Sequence, residues 1–267
     1  MSIIERLEYK RVEGIRVGRF KSQINTSSIV YRVGRNLIDS GPPNQWRFVK
    51  AFIEARGINR AFITHHHEDH SGNGGAMREE LNMDVLAPPS SLQLLAEGYP
   101  LELYRRVIWG NPRTYRAKPL PETVELENNL SLRQLPAPGH SPDMTCFLIP
   151  ERGWLFTGDL YVAPNPHSAR KEDDYVQEIE SLRRILAHSF DTVFCAHRGI
   201  VKNGWRALRK KLDYLVSLRQ EIRHLAQQGY SAAEIRKILL GKEGAISWLT
   251  FFHFSKKNLV LSLLGKI

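Results

Sequence analysis

The chain has 267 residues, 42% of them hydrophobic, with two cysteines and a net charge of +10. That length supports one large α/β domain or a core with a small appendage, and two cysteines exclude a disulfide framework. No apolar run approaches the ~18 residues that span a bilayer, and "MSIIERLEYKRVEG" lacks the apolar core of a signal peptide, so the sequence predicts a cytoplasmic protein without a membrane partner.

Position along the chain makes the charge more informative. Residues 1–197 hold 24 Lys and Arg against 24 Asp and Glu, whereas residues 198–267 hold 14 against 4. A neutral body therefore carries a basic tail. Up to about residue 200, β-rich runs ("SSIVYRV", "RAFIT", "MTCFLI", "WLFTGD", "DTVFCAH") alternate with helical stretches ("NQWRFVKAFIEAR", "EDDYVQEIESLRRILAH"), the pattern of an α/β domain. Past Asn203 the strand signals stop. "WRALRKKLDYLVSLRQEIRHLAQQ" predicts a long amphipathic helix with Gly229 as its stop, Ser231 caps "AAEIRKILLG", and "ISWLTFFHFSKKNLVLSLLG" predicts a third, aromatic helical segment. Between these regions, "YPLELYRRVIWGNPRTYRAKPLPE" (99–122) interrupts the pattern, and its aromatics and arginines suit either an active-site entrance or a solvated lid.

The densest chemistry is "FITHHHEDHSGNGG" (62–75), with four imidazoles and two carboxylates directly after a β-rich run. If the strand continues through them, His65 and His67 share a face and His66 points away. Asp69 and His70 fall in the following turn. Neutral imidazoles with a carboxylate are donors for zinc, and also for iron or manganese. His140 in "APGHSPD", Asp159 in "LFTGDL" and His197 in "TVFCAHRG" sit at further strand–loop junctions, where α/β folds collect their chemistry, and could complete the site.

In order, "LIDSG" (Asp39), "THHHEDHSG", "PGHS", "TGD" and a final strand-end His resemble the metallo-β-lactamase superfamily, over about residues 15–200. The resemblance implies an αββα sandwich of two mixed sheets with outer helices. It also implies a dinuclear site: His65, His67 and His140 on one divalent ion, Asp69, His70 and His197 on the other, Asp159 bridging, and Asp39 holding the ligand loop. Zinc is the first candidate, with iron or manganese next. Residues 1–203 would be the catalytic domain and 204–267 a helical, basic, winged-helix-like region.

A water between two such ions loses its proton near neutral pH, which makes the chemistry hydrolysis. Asp69 would orient the hydroxide as well as bind metal. Tyr161, two residues past Asp159, is similar to the tyrosine that lactonase relatives place near their bridging Asp and is the candidate leaving-group acid. Cys195, two residues before His197, is either a thiolate near the metals or a buried apolar residue. His67 stands where the flavodiiron branch carries Glu, which argues against oxygen reduction.

The leading expectation is a hydrolase of a small-molecule ester, thioester or lactone. The alternatives are a ribonuclease or phosphodiesterase that holds RNA on its basic tail, and a mononuclear iron enzyme resembling persulfide dioxygenases.

Overall fold

The computed structural model describes residues 3–20 and 24–266. The first sheet runs β1 (Glu5–Tyr9), β2 (Val12–Gly18), β3 (Ser27–Val33), β4 (Asn36–Ile38), β5 (Arg60–Phe62), β6 (Asp84–Ala87) and β7 (Lys118–Pro119) in spatial as well as chain order. Its first four strands are antiparallel and β4 to β7 parallel. The parallel half is connected through α1 (Trp46–Arg56), α2 (Glu68–Ser71), α3 (Gly74–Leu81), α4 (Leu92–Glu97) and α5 (Leu103–Trp109), because parallel neighbours need crossover connections.

The second sheet contains β8 (Thr123–Leu126), β9 (Leu130–Pro136), β10 (Thr145–Ile149) and β11 (Trp154–Gly158). The chain then leaves it through β12 (Ala169–Arg170) and α6 (Tyr175–Leu186), and returns as β13 (Thr192–Cys195) and β14 (Gly199–Val201). The spatial order is β14-β13-β11-β10-β9-β8, with β11 and β13 parallel. The basic tail forms α7 (Gly204–Gln227), α8 (Ala232–Leu240), α9 (Ala245–Leu249), β15 (Phe254–Ser255) and α10 (Lys256–Leu264).

Side-chain alternation assigns the layers. Ile29, Tyr31 and Val33 of β3 face Phe147 and Ile149 of β10 between the sheets, with Phe156 and Phe194. Val30 of β3 turns outward onto Val49, Phe52 and Ile53 of α1. Cys146 and Leu148 of β10 turn the other way, onto a cluster containing Leu182 of α6, Leu208, Leu212, Leu215, Leu218 and Ile222 of α7, Ile235 of α8 and Leu259 of α10. The architecture is thus the expected αββα sandwich with a helical C-terminal region, and that region shares the core of the second sheet. Each of those leucines contributes ~1.5–3 kcal/mol through burial. Glu178 of α6 and Lys211 of α7, both buried, pair at 2.7 Å inside this layer. Among the described residues no helix is long and apolar enough to cross a membrane.

Several details differ from the sequence expectations. Strand β5 stops at Phe62, so His65 and His66 lie in bends and His67 precedes α2, rather than all three continuing a strand. The third C-terminal segment is two helices: Phe251 and Phe252 take positive φ of 49° and 59°, and Phe254–Ser255 pairs as β15 with β12 before Ser255 caps α10. The one strand of the tail among the described residues thus joins the body of the fold, not a wing of its own. Gly229 and Ser231 behave as read: α7 ends at Gln227, Gly229 has φ 90°, and Ser231 forms a capping box with Glu234.

Segment 99–122 packs over the first sheet's loops as a fixed roof. Arg105 donates to both oxygens of Glu68 at 2.8 and 2.6 Å, both residues being buried, and the Tyr99 hydroxyl donates to the His66 carbonyl at 2.8 Å.

Candidate metal centre

The loop after β5 is held from below by Asp39, whose φ of 60° is one that Asp tolerates better than most residues. Its Oδ1 accepts the Thr64 N–H at 2.8 Å and the Thr64 hydroxyl at 2.9 Å, while Oδ2 accepts Nδ1–H of His70 at 2.8 Å. The glycines that follow serve close approach. A Cβ on Gly72 would lie 2.2 Å from the Glu68 carbonyl oxygen, and one on Gly74 would lie 2.2 Å from the Tyr115 ring. Further on, β9 delivers His140 through Gly139, β11 ends in Gly158 before Asp159, and β13 delivers His197.

These strand ends bring all seven predicted residues together, six of them buried and His140 partly so. Three groups within them could each hold a metal ion: His65, His67 and His140; Asp69, His70 and His197; and His65, His70 and Asp159. In the first, Nε2 of His65 and Nε2 of His140 each lie 3.0 Å from Nδ1 of His67. In the second, Nε2 of His197 is 3.2 Å and Nε2 of His70 is 3.7 Å from Oδ2 of Asp69. Asp159 lies between the two, with Oδ2 at 3.2 Å from Nε2 of His140, and Oδ1 at 3.2 Å from His70 Nε2 and 3.1 Å from His197 Nε2.

The donors fit a cation. Nδ1–H of His197 donates to the Ser27 carbonyl at 2.8 Å, as Nδ1–H of His70 does to Asp39, which leaves both Nε2 lone pairs facing the centre. Burial, with Arg170 and neighbouring imidazoles, lowers His65 and His67 well below the ordinary range and His140 to about 3, so these rings are neutral donors at physiological pH. Burial opposes charge at His70 and His197 too, but without an ion the Asp159 and Asp69 carboxylates outweigh it and raise both, so a cation would take the place of a proton on each Nε2. The same imidazoles overcome burial at Asp69 and Asp159 and hold those carboxyls low, in the ionised form that binds metal. His70 Nε2 and Asp159 Oδ1 are buried without a hydrogen-bond partner. Buried donors facing one another in this way are what a divalent ion satisfies.

Three neighbouring residues singled out in the sequence are not in these groups. The His66 ring turns to Asp143, with Nδ1 2.8 Å from Oδ1, and its backbone N–H donates to Oδ2 at 2.8 Å. Tyr161 packs in the cluster with Leu160 and Cys195, and among the described residues no hydrogen bond joins its hydroxyl to any of the seven. Cys195 is buried, and its sulfur accepts the backbone N–H of His197 at 3.4 Å and of Arg198 at 3.3 Å, so it shapes the turn beneath His197.

Other residues here were not singled out from the sequence. Asp143 stands inside the quoted "PGHSPD", accepts from Ser91 and Ser141 as well as His66, and anchors the loop opposite Asp39. Glu68 joins the roof to the ligand loop. Arg170 on β12 places Nη1 3.1 Å from Nδ1 of His67, and a lone Arg in "PHSARKEDD" gives no sequence signal for that. From the tail, His253 accepts the Tyr104 hydroxyl at 2.8 Å and contacts Glu172 at 2.8 Å, tying the roof to the segment that carries Arg170.

The fold and this centre define an αββα protein with a histidine- and aspartate-rich candidate metal site at one edge of its two sheets. The chain belongs to the metallo-β-lactamase superfamily, whose sequence profile matches residues 23–197. An atrochrysone carboxyl ACP thioesterase of Passalora fulva is 27% identical over 202 residues, which is 72% of this chain and 54% of that protein. A lactamase-like protein of Emericella nidulans is 24% identical over 251 residues, 89% and 74% of the two chains. The chain thus spans about half the length of the thioesterase it matches. Among solved structures, a β-lactamase domain protein from Burkholderia ambifaria aligns over 99% of this chain and 88% of its own, with TM-score 0.74 at 18% identity. A metallo-β-lactamase family protein from Thermus thermophilus aligns over 96% and 93%, with TM-score 0.68 at 19% identity. These two show the shared fold.

Proposed function

We propose that the chain is a dinuclear metal-dependent thioesterase, with zinc as the first candidate metal. His65, His67 and His140 would hold one ion, Asp69, His70 and His197 the other, and Asp159 both. The observation that carries this reading is the position of Asp159, with one carboxylate oxygen towards His140 and the other towards His70 and His197. Bound there, two divalent ions would supply hydroxide near neutral pH, water's pKa falling from ~15.7 towards ~7, and would polarise the substrate carbonyl.

The chain's own residues do the positioning. Asp39 and the Ser27 carbonyl fix the tautomers of His70 and His197, and Asp69 orients the attacking oxygen. The Glu68–Arg105 pair fixes segment 99–122 to the histidine-rich loop. In the reaction a carbon–oxygen bond forms at the acyl carbon, the carbon–sulfur bond breaks, and a carboxylic acid and a thiol result.

The leaving group favours a thioester over an ester or a phosphodiester. Among the described residues no hydrogen bond links Tyr161, the sequence's one candidate acid, to the seven residues. A thiolate, whose conjugate acid has pKa ~8.5, departs unprotonated, whereas an alkoxide is nearly as basic as hydroxide and needs a proton. The thioesterase relative supports the same choice.

The test is elemental analysis after zinc reconstitution, followed by turnover of a thioester, ester, lactone and phosphodiester panel. Two ions per chain with thioester cleavage fastest is the expected result. Less than one ion per chain, or faster phosphodiester cleavage, would overturn the proposal.

A further inference from the structure

We propose that Arg170 recognises a carboxylate on the acyl part of the substrate, close to the scissile bond. The proposal rests on the thioesterase reading and adds the substrate class. Its basis is a half-buried guanidinium that points into the centre without a counter-ion. Nη1 of Arg170 lies 3.1 Å from Nδ1 and 3.4 Å from Nε2 of His67. His67 Nδ1 is also the atom that faces His65 and His140.

The carboxylates around Arg170 do not pair with its guanidinium. Asp173 accepts the backbone N–H of Arg170 through Oδ2 at 2.8 Å, while its Oδ1, buried without a hydrogen-bond partner, lies 3.7 Å from His140 Nδ1. Glu172 contacts His253, and Glu68 is taken by Arg105. Among the described residues no carboxylate comes within ion-pair distance of the Arg170 guanidinium. A cation taken out of water is costly unless it is paired, and an arginine fork matches a carboxylate through two parallel hydrogen bonds.

Arg170 is also held in place. It lies on β12, where Arg170 and Ala169 pair with Phe254 and Ser255 of β15. Its strand is clamped further by Asn258, whose side-chain amide donates to the Ala169 carbonyl at 3.3 Å. Burial pushes the neighbouring Glu172 and Asp173 carboxyls up and the Arg170 charge pulls both down, but among the described residues neither forms an ion pair with its fork. The short reach from Arg170 to His67 puts the recognised carboxylate within a few bonds of the carbonyl carbon.

The experiment uses the full zinc-loaded chain with malonyl, succinyl and glutaryl thioesters, each beside its neutral monoamide. Wild type should prefer the acid to its amide by roughly 10-fold or more in kcat/KM at one or more chain lengths, the effect of one charge-assisted hydrogen bond. Arg170→Met should bring that ratio to about one, with Arg170→Lys between. Calorimetric binding of the free dicarboxylates provides a second readout, and Arg170→Met should weaken it by a similar factor. A wild type that shows no acid preference, or an Arg170→Met variant that slows acid and amide equally, would overturn the proposal. If no thioester is cleaved the thioesterase reading falls, while dicarboxylate binding that depends on Arg170 would still support the assignment, and binding unchanged in Arg170→Met would overturn it.

Discussion

Asp39 and His70, 31 positions apart in sequence, meet at 2.8 Å through a buried carboxylate–imidazole hydrogen bond. Because Asp39 also holds the Thr64 amide and hydroxyl, one side chain fixes both the histidine-rich loop and the tautomer of a proposed ligand. Asp39→Asn keeps the left-handed backbone, since Asn tolerates it as well, but removes the ionised acceptor. The expected result is a fall of ~10–100-fold in affinity for the second ion, as for other carboxylates that orient metal-bound imidazoles. Chelator competition at constant pH measures it. Unchanged affinity would mean that Asp39 only shapes the turn.

The three consecutive histidines should separate by metal content. His65→Ala and His67→Ala are each expected to lose the first ion, whereas His66→Ala should retain the wild-type stoichiometry. The His66 change instead removes a charge-assisted partner from buried Asp143 and should cost ~1–3 kcal/mol of stability. Elemental analysis and chemical denaturation on the same three variants check both halves. Equal metal loss in all three would contradict the placement of His66 on Asp143.

Asp143 also predicts a pH dependence. Burial by itself would raise its carboxyl, but hydrogen bonds from His66, Ser91 and Ser141, together with the charge on His66, reverse this and hold it below the ordinary 3.8. A group depressed in the folded state stabilises above its unfolded value and loses that contribution as pH falls through the folded one. The stability difference between wild type and Asp143→Asn should therefore be constant above about pH 5 and shrink below 3.8. Denaturation midpoints measured from pH 7 to 3 give the curve. A difference that grows on acidification would have the wrong sign for this account.

One of the tail's cations is internal. Lys211 on α7 donates to the Leu160 carbonyl at 2.6 Å and pairs with Glu178 on α6 at 2.7 Å, both partners being buried. Lys211→Met strands the Glu178 carboxylate and should cost ~3–5 kcal/mol, whereas Lys211→Met with Glu178→Leu should recover most of it. Since Leu160 follows Asp159, the single variant should also weaken metal binding. Urea unfolding of wild type, single and double variants decides it, and a single-variant cost under ~1 kcal/mol would refute the pairing as a structural element.

Period and spacing in the sequence determined the alternating elements, the dense cluster from His65 to His70 and the stops and caps around Gly229 and Ser231, because these are local: strand alternation, turn chemistry and capping act within a few residues. That His140, Asp159 and His197 complete the set was legible through the resemblance of the ordered motifs. The orientation of His66 was also legible, although for a different reason. It turns away because Asp143 captures it, the strand having ended at Phe62. What only the tertiary structure decided depends on contacts across many positions. Arg170 reaches His67 from 103 residues away, Arg105 seals Glu68 across 37, and Lys211 lies beneath Leu160 from 51. None has a local signature, because an Arg or Lys beside other cations reads the same whether it faces water or the protein interior. Composition likewise gave the tail's charge but not its location. The packing of α7, α8 and α10 onto the second sheet, and of β15 onto β12, follows from burying their apolar faces, and that burial places the tail beside the site.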